Sequence, residues 1–448
     1  MRQVQDTGGY YNFSKIRYGG PPGGNLRFKA PVEPSGRDKC MVTDGSTGRF
    51  AQSYLAGLPF NYDLAMSLLP GSPAAASTDP RTTEDCLFLD VIAPRSAFAG
   101  NVSGLPVLIW IYGGGYAGGE KTGLGKFNPA GLLEVSGSDP GFVFVAINYR
   151  PSGFGWLGGD EVGANGTRNA GLYDQRLAFQ WVQKYIHLFS GDKDRVTAIG
   201  ASASAGSIMH HITSFGPILF SPAFLPTPTN YIPTMSSDDL MKMQTLPGET
   251  LVLANALQIY SHAPYGSNII MVSHNTLEGL TFTKPNIKTT EDYINMLRQA
   301  MSTISNDTLS FISNTLYPVV FNGSYGYKGQ FQRALVTVQD NTIICNTRYL
   351  VSAMSGRAYG IQFTVQPVIH GEETPYVFQN GLTSGVIKDV ADRLQQYIVN
   401  FVMNSKPTDA NGLPVPLYGT TAQLMNIAES GSTVIKDNTA NSRCSWWQ

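Results

Sequence analysis

One stretch constrains this chain more than any other: Val196-Thr-Ala-Ile-Gly-Ala-Ser-Ala-Ser-Ala-Gly-Ser-Ile-Met209. A β-branched, apolar run stops at Gly200 and passes through small residues straight into an apolar, helix-like run. A strand and a helix joined this tightly nearly touch, so only small side chains fit at the crossing. A serine at the apex of such a turn is thrown outward as in a nucleophile elbow, with small residues two positions to either side. Gly200 and Ser204 flank Ser202 at that spacing, and Ser202 and Gly206 flank Ser204 in the same way. The residues alone therefore leave two registers open. Strand length favours Ser202, because the other register starts the turn two residues after the β-branched run has ended. Read in isolation, the segment is equally well a small-residue helix start with a serine N-cap.

The surroundings extend the strand–helix theme. Short apolar runs bounded by turn residues mark buried strands, at Leu87–Ile92, Val107–Tyr112, Phe142–Asn148, Val196–Ile199, Ile269–Val272 and Tyr359–Val365. Leu177, Ala178, Trp181, Val182, Tyr185 and Ile186 recur as the stripe of an amphipathic helix. Alternation of this kind predicts a mostly parallel sheet with helical crossovers. Further helices are expected near 250–260, 290–302, 329–334 and 388–403. The segment Tyr10–Pro31 reads as irregular, and the tail from Ala410 reads as loop-rich.

Composition removes several function classes. Lys+Arg total 31 against 32 Asp+Glu, a net charge of −1, which leaves no electrostatic footprint for nucleic acid. No stretch reaches the roughly 18 apolar residues of a spanning helix. Met1-Arg-Gln-Val-Gln-Asp6 lacks the apolar core of a signal peptide. His210 and His211 are adjacent and point in different directions, so no metal site is expected, and His274 reads as a packing or surface residue. No Lys-Ser/Thr follows Gly113-Gly-Gly115 as a phosphate loop requires. No cofactor is expected.

Six further stretches, in order along the chain, carry a resemblance. They are Tyr11-Asn-Phe-Ser-Lys-Ile-Arg-Tyr18, Leu26-Arg-Phe-Lys-Ala-Pro31, Glu84-Asp-Cys-Leu-Phe-Leu-Asp-Val91, Trp110-Ile-Tyr-Gly-Gly-Gly-Tyr116, Asn169-Ala-Gly-Leu-Tyr-Asp-Gln175 and His370-Gly-Glu-Glu-Thr-Pro-Tyr376. With these the chain resembles the type B carboxylesterase family, which includes cholinesterases and many secreted fungal esterases and lipases. The resemblance implies an α/β-hydrolase fold: one domain over 1–448, a large mostly parallel sheet and helices on both faces. It implies a serine hydrolase acting on a small-molecule ester, with Ser202 as nucleophile, His370 as base and Glu278 orienting the histidine. The chain order Ser202…Glu278…His370 is that of the fold. Gly114 and Gly115 match the family's oxyanion glycines, with the amide of Ala203 as third donor. The resemblance also implies a Cys345–Cys444 bridge, leaving Cys40 to pair with Cys86.

The chain departs from the family pattern in three places. Ala201 stands where the family has Glu before the serine, which argues against choline esters and for uncharged ones. Ser204 replaces the second elbow glycine and adds a side chain where little room is expected. The region 214–268 is short, so a more open acyl pocket is expected. These departures keep a second reading alive, an esterase-like enzyme performing a non-hydrolytic step such as cyclisation or elimination, and a third, a weakly active esterase-like binding protein. Five Asn-x-Ser/Thr sequons, at Asn12, Asn101, Asn165, Asn306 and Asn322, together with an even number of cysteines, point to a secreted glycoprotein.

Overall fold

The computed structural model describes residues 5–6, 9–36, 83–99, 102–116, 118–123, 126–137, 141–158, 160–213, 223–226, 269–301, 304–354, 356–381 and 383–447. Among these residues the frame is a sheet of eleven strands: β1 Gln5–Asp6, β2 Tyr10–Arg17, β3 Phe88–Pro94, β4 Leu105–Ile111, β5 Val143–Ile147, β6 Gly191–Gly200, β7 Ala223–Pro226, β8 Ile270–Asn275, β9 Ala358–Phe363, β10 Gln423–Ala428 and β11 Gly431–Lys436. Their spatial order is β1-β2-β3-β5-β4-β6-β7-β8-β9-β10-β11. From β5 across to β10 every neighbouring pair is parallel, and the flanking pairs are antiparallel. Each of the six strands expected from apolar runs is present. Every residue of β4 and β5 is buried, which is why they read as unbroken apolar runs: strands covered on both faces have no polar side to alternate with.

The strands that sequence reading missed have physical reasons. β2 falls inside Tyr10–Pro31, expected to be irregular. Its register against β3 shifts between Phe13 and Ile16, and Lys15 sits at φ +58°. Such a bulge throws the two-residue alternation out of phase. β10 and β11 form a hairpin in the tail expected to be loop-rich, and β11 is a half-exposed edge strand with no apolar run.

Helices then cover the sheet: α1 Ala170–Tyr185, α2 Ala203–Thr213, α3 Thr290–Ala300, α4 Gln330–Gln339, α5 Cys345–Ala353, α6 Lys388–Asn404 and α7 Ser442–Trp447. α1 and α2 pack on β6, and α6 on β4 and β10. The buried face of α1 is Ala170, Gly171, Asp174, Gln175, Ala178, Phe179 and Val182. It lies further round the helix than the apolar stripe indicated, because two of its members are polar. The helix expected near 250–260 lies outside the described residues, as does the region 214–268 apart from β7.

Cys345, at the start of α5, and Cys444, in α7, form a disulfide across a sequence separation of 99. The other expected pairing falls outside the described residues, since Cys40 is not among them; Cys86 is a buried thiol with no disulfide among the described residues. Cys86 is covered between Tyr18 and the Arg150–Asp174 pair, and burial pushes its pKa well up, so it is an unreactive apolar filler in this state. The Cys345–Cys444 bridge closes a long loop. Replacing both cysteines by serine is expected to lower stability by about 2–5 kcal/mol, read as a fall in denaturant midpoint.

Candidate active site

The parallel ladder between β4 and β6 ends at the pair Ile111–Gly200. Beyond it one strand turns into the glycine loop and the other into the elbow. Ser202 takes φ +60°, a left-handed conformation that is strained for any residue with a Cβ. The crossing is as tight as the small residues implied. A Cβ built on Gly200 would meet the carbonyl carbon, carbonyl oxygen and Oγ of Ser204 at 2.8–2.9 Å. One on Gly113 would come within 2.4 Å of the Ala201 carbonyl oxygen.

Three side chains from separate elements converge. The Ser202 Oγ lies 2.8 Å from Nε2 of His370, and the His370 Nδ1 lies 2.8 Å from Oε2 of Glu278. Glu278 follows β8 directly and is fully buried, and His370 is 8% exposed. The turns that carry them are stitched together, since the amide of Leu277 donates to the carbonyl of Val368 at 2.8 Å. The structure thus brings together all three residues that the resemblance singled out. It also separates the two serines. Ser204 is completely buried, and its hydroxyl donates to the carbonyls of Ile111, at 2.7 Å, and Ala201, at 2.8 Å.

Gly114 and Gly115, at φ +115° and +61°, lie on the loop facing the elbow. Among the described residues their amides have no acceptor. The amide of Ala203 opens α2, and the first four N–H groups of a helix have no intrahelical partner. The loop's base is held by two stacked tyrosines, centroids 4.3 Å apart, whose hydroxyls donate to each other's carbonyls between Tyr112 and Tyr149.

Several residues here escaped sequence reading. Asn275 donates its backbone amide and its Nδ2 to Oε1 of Glu278 and also reaches Glu373. An Asx residue three positions before an acid was the signal that could have found it. Phe282 packs edge-on against the His370 ring, at 4.8 Å between centroids. Glu372, 1% exposed, has its pKa raised to about 8, first by burial and then by the neighbouring Glu373. A raised carboxyl pKa means the native state holds a proton that the unfolded chain releases, so stability falls as pH climbs from the ordinary carboxyl range to about 8. Glu372→Gln is accordingly expected to melt higher than the parent at pH 8–9 and equally at pH 4, as measured by melting temperature across pH.

His210 and His211 are buried in α2, and burial pushes both down to about 3. His274 is buried on β8, its Nδ1 facing the Asn275 carbonyl. Among the described residues no cluster of metal-ligating side chains occurs. A cavity of about 1060 Å³ beside the turn that carries Glu278 is lined by His274, Leu277 and Leu280, among others, and not by Ser202 or His370. Of the sequons, Asn165, Asn306 and Asn322 are exposed, Asn12 is half-buried within β2, and Asn101 lies outside the described residues.

Comparison with known proteins gives this geometry its context. A model of the carboxylesterase family matches residues 1–223. Carboxylesterase patB of Aspergillus clavatus is 33% identical over 99% of this chain and 92% of its own length. The chain belongs to the carboxylesterase family. Carboxylesterase patB of Penicillium expansum is similar at 32% identity over the same shares of both chains. A secreted lipase of Arthroderma benhamiae is 40% identical over 33% of this chain and 31% of its own. The crystal structure of Aspergillus niger EstA superposes with a TM-score of 0.75 at 22% identity, covering 98% of this chain and 94% of that one, which establishes the α/β-hydrolase fold. This carboxylesterase is a carboxylic-ester hydrolase, and its relatives favour ester hydrolysis over the non-hydrolytic alternative. No helix among the described residues is long and apolar enough to cross a membrane.

Proposed function

We propose that the enzyme hydrolyses uncharged carboxylic esters through an acyl-enzyme on Ser202. His370 Nε2 takes the hydroxyl proton as Oγ attacks the carbonyl carbon, a hydroxyl being a weak nucleophile until a base is within reach. The carbonyl oxygen becomes an oxyanion, received by the amides of Gly114, Gly115 and Ala203. Glu278 stabilises the imidazolium and holds its tautomer. Collapse breaks the ester bond, the imidazolium proton leaves on the alcohol, and water repeats the sequence in reverse to release the acid. The observation that carries this reading is the unbroken chain Ser202–His370–Glu278, with both links at 2.8 Å.

Ala201 in the place of an acidic residue supports uncharged substrates, since the residue preceding Ser202 carries no carboxylate to attract a cation. The chain is read as one domain, and as a secreted glycoprotein. The Cys345–Cys444 bridge, the exposed sequons and relatives described as a secreted lipase and a secreted triacylglycerol lipase support the latter. The test is a fluorophosphonate label followed by peptide mass spectrometry. One adduct is expected, on the peptide bearing Ser202, and none in Ser202→Ala. An adduct on Ser204, or none on a protein that still cleaves p-nitrophenyl butyrate, would overturn the assignment.

A further inference from the structure

Ser204 is this chain's own departure at the elbow, and its side chain has a definite task. It sits in the first turn of α2 with no exposure at all, and its Oγ reaches two carbonyls on different segments. One belongs to Ile111, the last residue of β4, 93 positions away; the other belongs to Ala201, in the elbow itself. A hydroxyl has a single hydrogen, so the two acceptors share it and are held within one hydrogen-bond length of the same oxygen. Glycine in this position would supply no such donor. Room for the side chain comes from the opposite wall: Gly200 has no Cβ, and one built there would lie 2.9 Å from Ser204 Oγ.

The two segments joined in this way supply the two halves of the oxyanion site. β4 runs from Ile111 through Tyr112 and Gly113 into Gly114 and Gly115, whereas the elbow carries Ser202 and the amide of Ala203. They already touch, since a Cβ on Gly113 would meet the Ala201 carbonyl oxygen at 2.4 Å and Ser202 Cβ at 3.1 Å. Contact limits how closely they approach; it does not fix how one slides along the other. A directional bond from Ser204 to both does. Donors around an oxyanion act through preorganisation, which small displacements erode.

We propose that Ser204 is a positioning residue that locks the nucleophile elbow to the oxyanion strand, keeping the amide of Ala203 in register with those of Gly114 and Gly115. The role rests on Ser202 as the attacking group. It makes the serine a functional replacement for the missing elbow glycine rather than a defect.

The test compares Ser204→Ala and Ser204→Gly with the parent in kcat, KM, melting temperature and the inhibition constant of a trifluoromethyl ketone, which forms an oxyanion-bearing adduct on the nucleophile. Both variants are expected to lose about tenfold in kcat, the kinetic equivalent of about 1.4 kcal/mol. KM should stay within about twofold, because ground-state binding is untouched, and the inhibition constant should rise by the same factor as kcat falls. A folded variant of either kind with parental kcat and inhibition constant overturns the proposal, even if its melting temperature drops. So does a rise in KM alone. Should Ser204→Ala fail to fold, Ser204→Gly decides, since it removes the hydroxyl and adds nothing. Fluorophosphonate labelling of the parent separates the two levels. A parent labelled on Ser202 with unaffected variants removes only this role; a parent unlabelled there removes the acyl-enzyme reading and this role together.

Discussion

Ser202→Ala is expected to lower kcat/KM for short-chain p-nitrophenyl esters by about 10⁵- to 10⁶-fold, leaving only what binding and oxyanion donors provide. The size follows from the site's connectivity. Without the Ser202 oxygen no acyl-enzyme forms, so His370 has neither a hydroxyl to deprotonate nor an acyl group to release, and the contributions of all three are lost at once. Ser204→Ala, by contrast, is expected to keep about a tenth of the activity, since its hydroxyl is already committed to two carbonyls. Melting temperature should barely move in Ser202→Ala. Steady-state kinetics on both variants check the pair, and a Ser202→Ala enzyme retaining even one per cent of the parental rate would falsify the nucleophile assignment.

The largest effect on stability is expected at Asp174. Arg150 leaves β5 into the core, where it is 1% exposed, and Asp174 on α1 is fully buried. The carboxylate accepts from Nε at 2.8 Å, from Nη2 at 2.7 Å and from the Arg150 amide at 3.0 Å. Alanine at 174 would strand a guanidinium in the interior, and breaking one half of a buried pair costs about 3–5 kcal/mol. Because the penalty comes from the charge left behind, the double variant Arg150→Met/Asp174→Leu should recover at least half of it. Denaturant titrations of the single and double variants measure both, and a single variant losing under about 1 kcal/mol would show that the guanidinium finds another partner. The same residues explain why helix α1 carries polar groups on its inner face: Asp174 neutralises Arg150, and Gln175 bridges Ser207 and His211 of α2.

Much of the framework was legible because it depends on local pattern. β4 and β5 are apolar on both faces and β8 opens on the apolar stretch Ile270–Val272, and a run of apolar residues ending at a turn says so directly. Where the pattern is interrupted, legibility fails. The bulge at Lys15 hides β2, and the polar edge of β11 hides the last hairpin. The pairing of Cys40 with Cys86 is an inference by remainder, and remainder contains no geometry; Cys40 lies outside the described residues.

The acid and histidine positions came from the family resemblance; the sequence by itself marked the tight, small-residue crossing from strand to helix at 200–206 and most of the buried strands around it. Those features are written in neighbouring residues: side-chain size at the crossing, apolar runs, glycine where a backbone must come close. Only the tertiary structure shows which of the two elbow hydroxyls is committed to carbonyls and which faces a histidine, because the partners of Ser204 and Ser202 come from elsewhere in the chain. Ile111 lies 93 residues from Ser204, and His370 lies 168 from Ser202. Hydrogen-bond saturation is a property of the folded neighbourhood, and no local spacing encodes it.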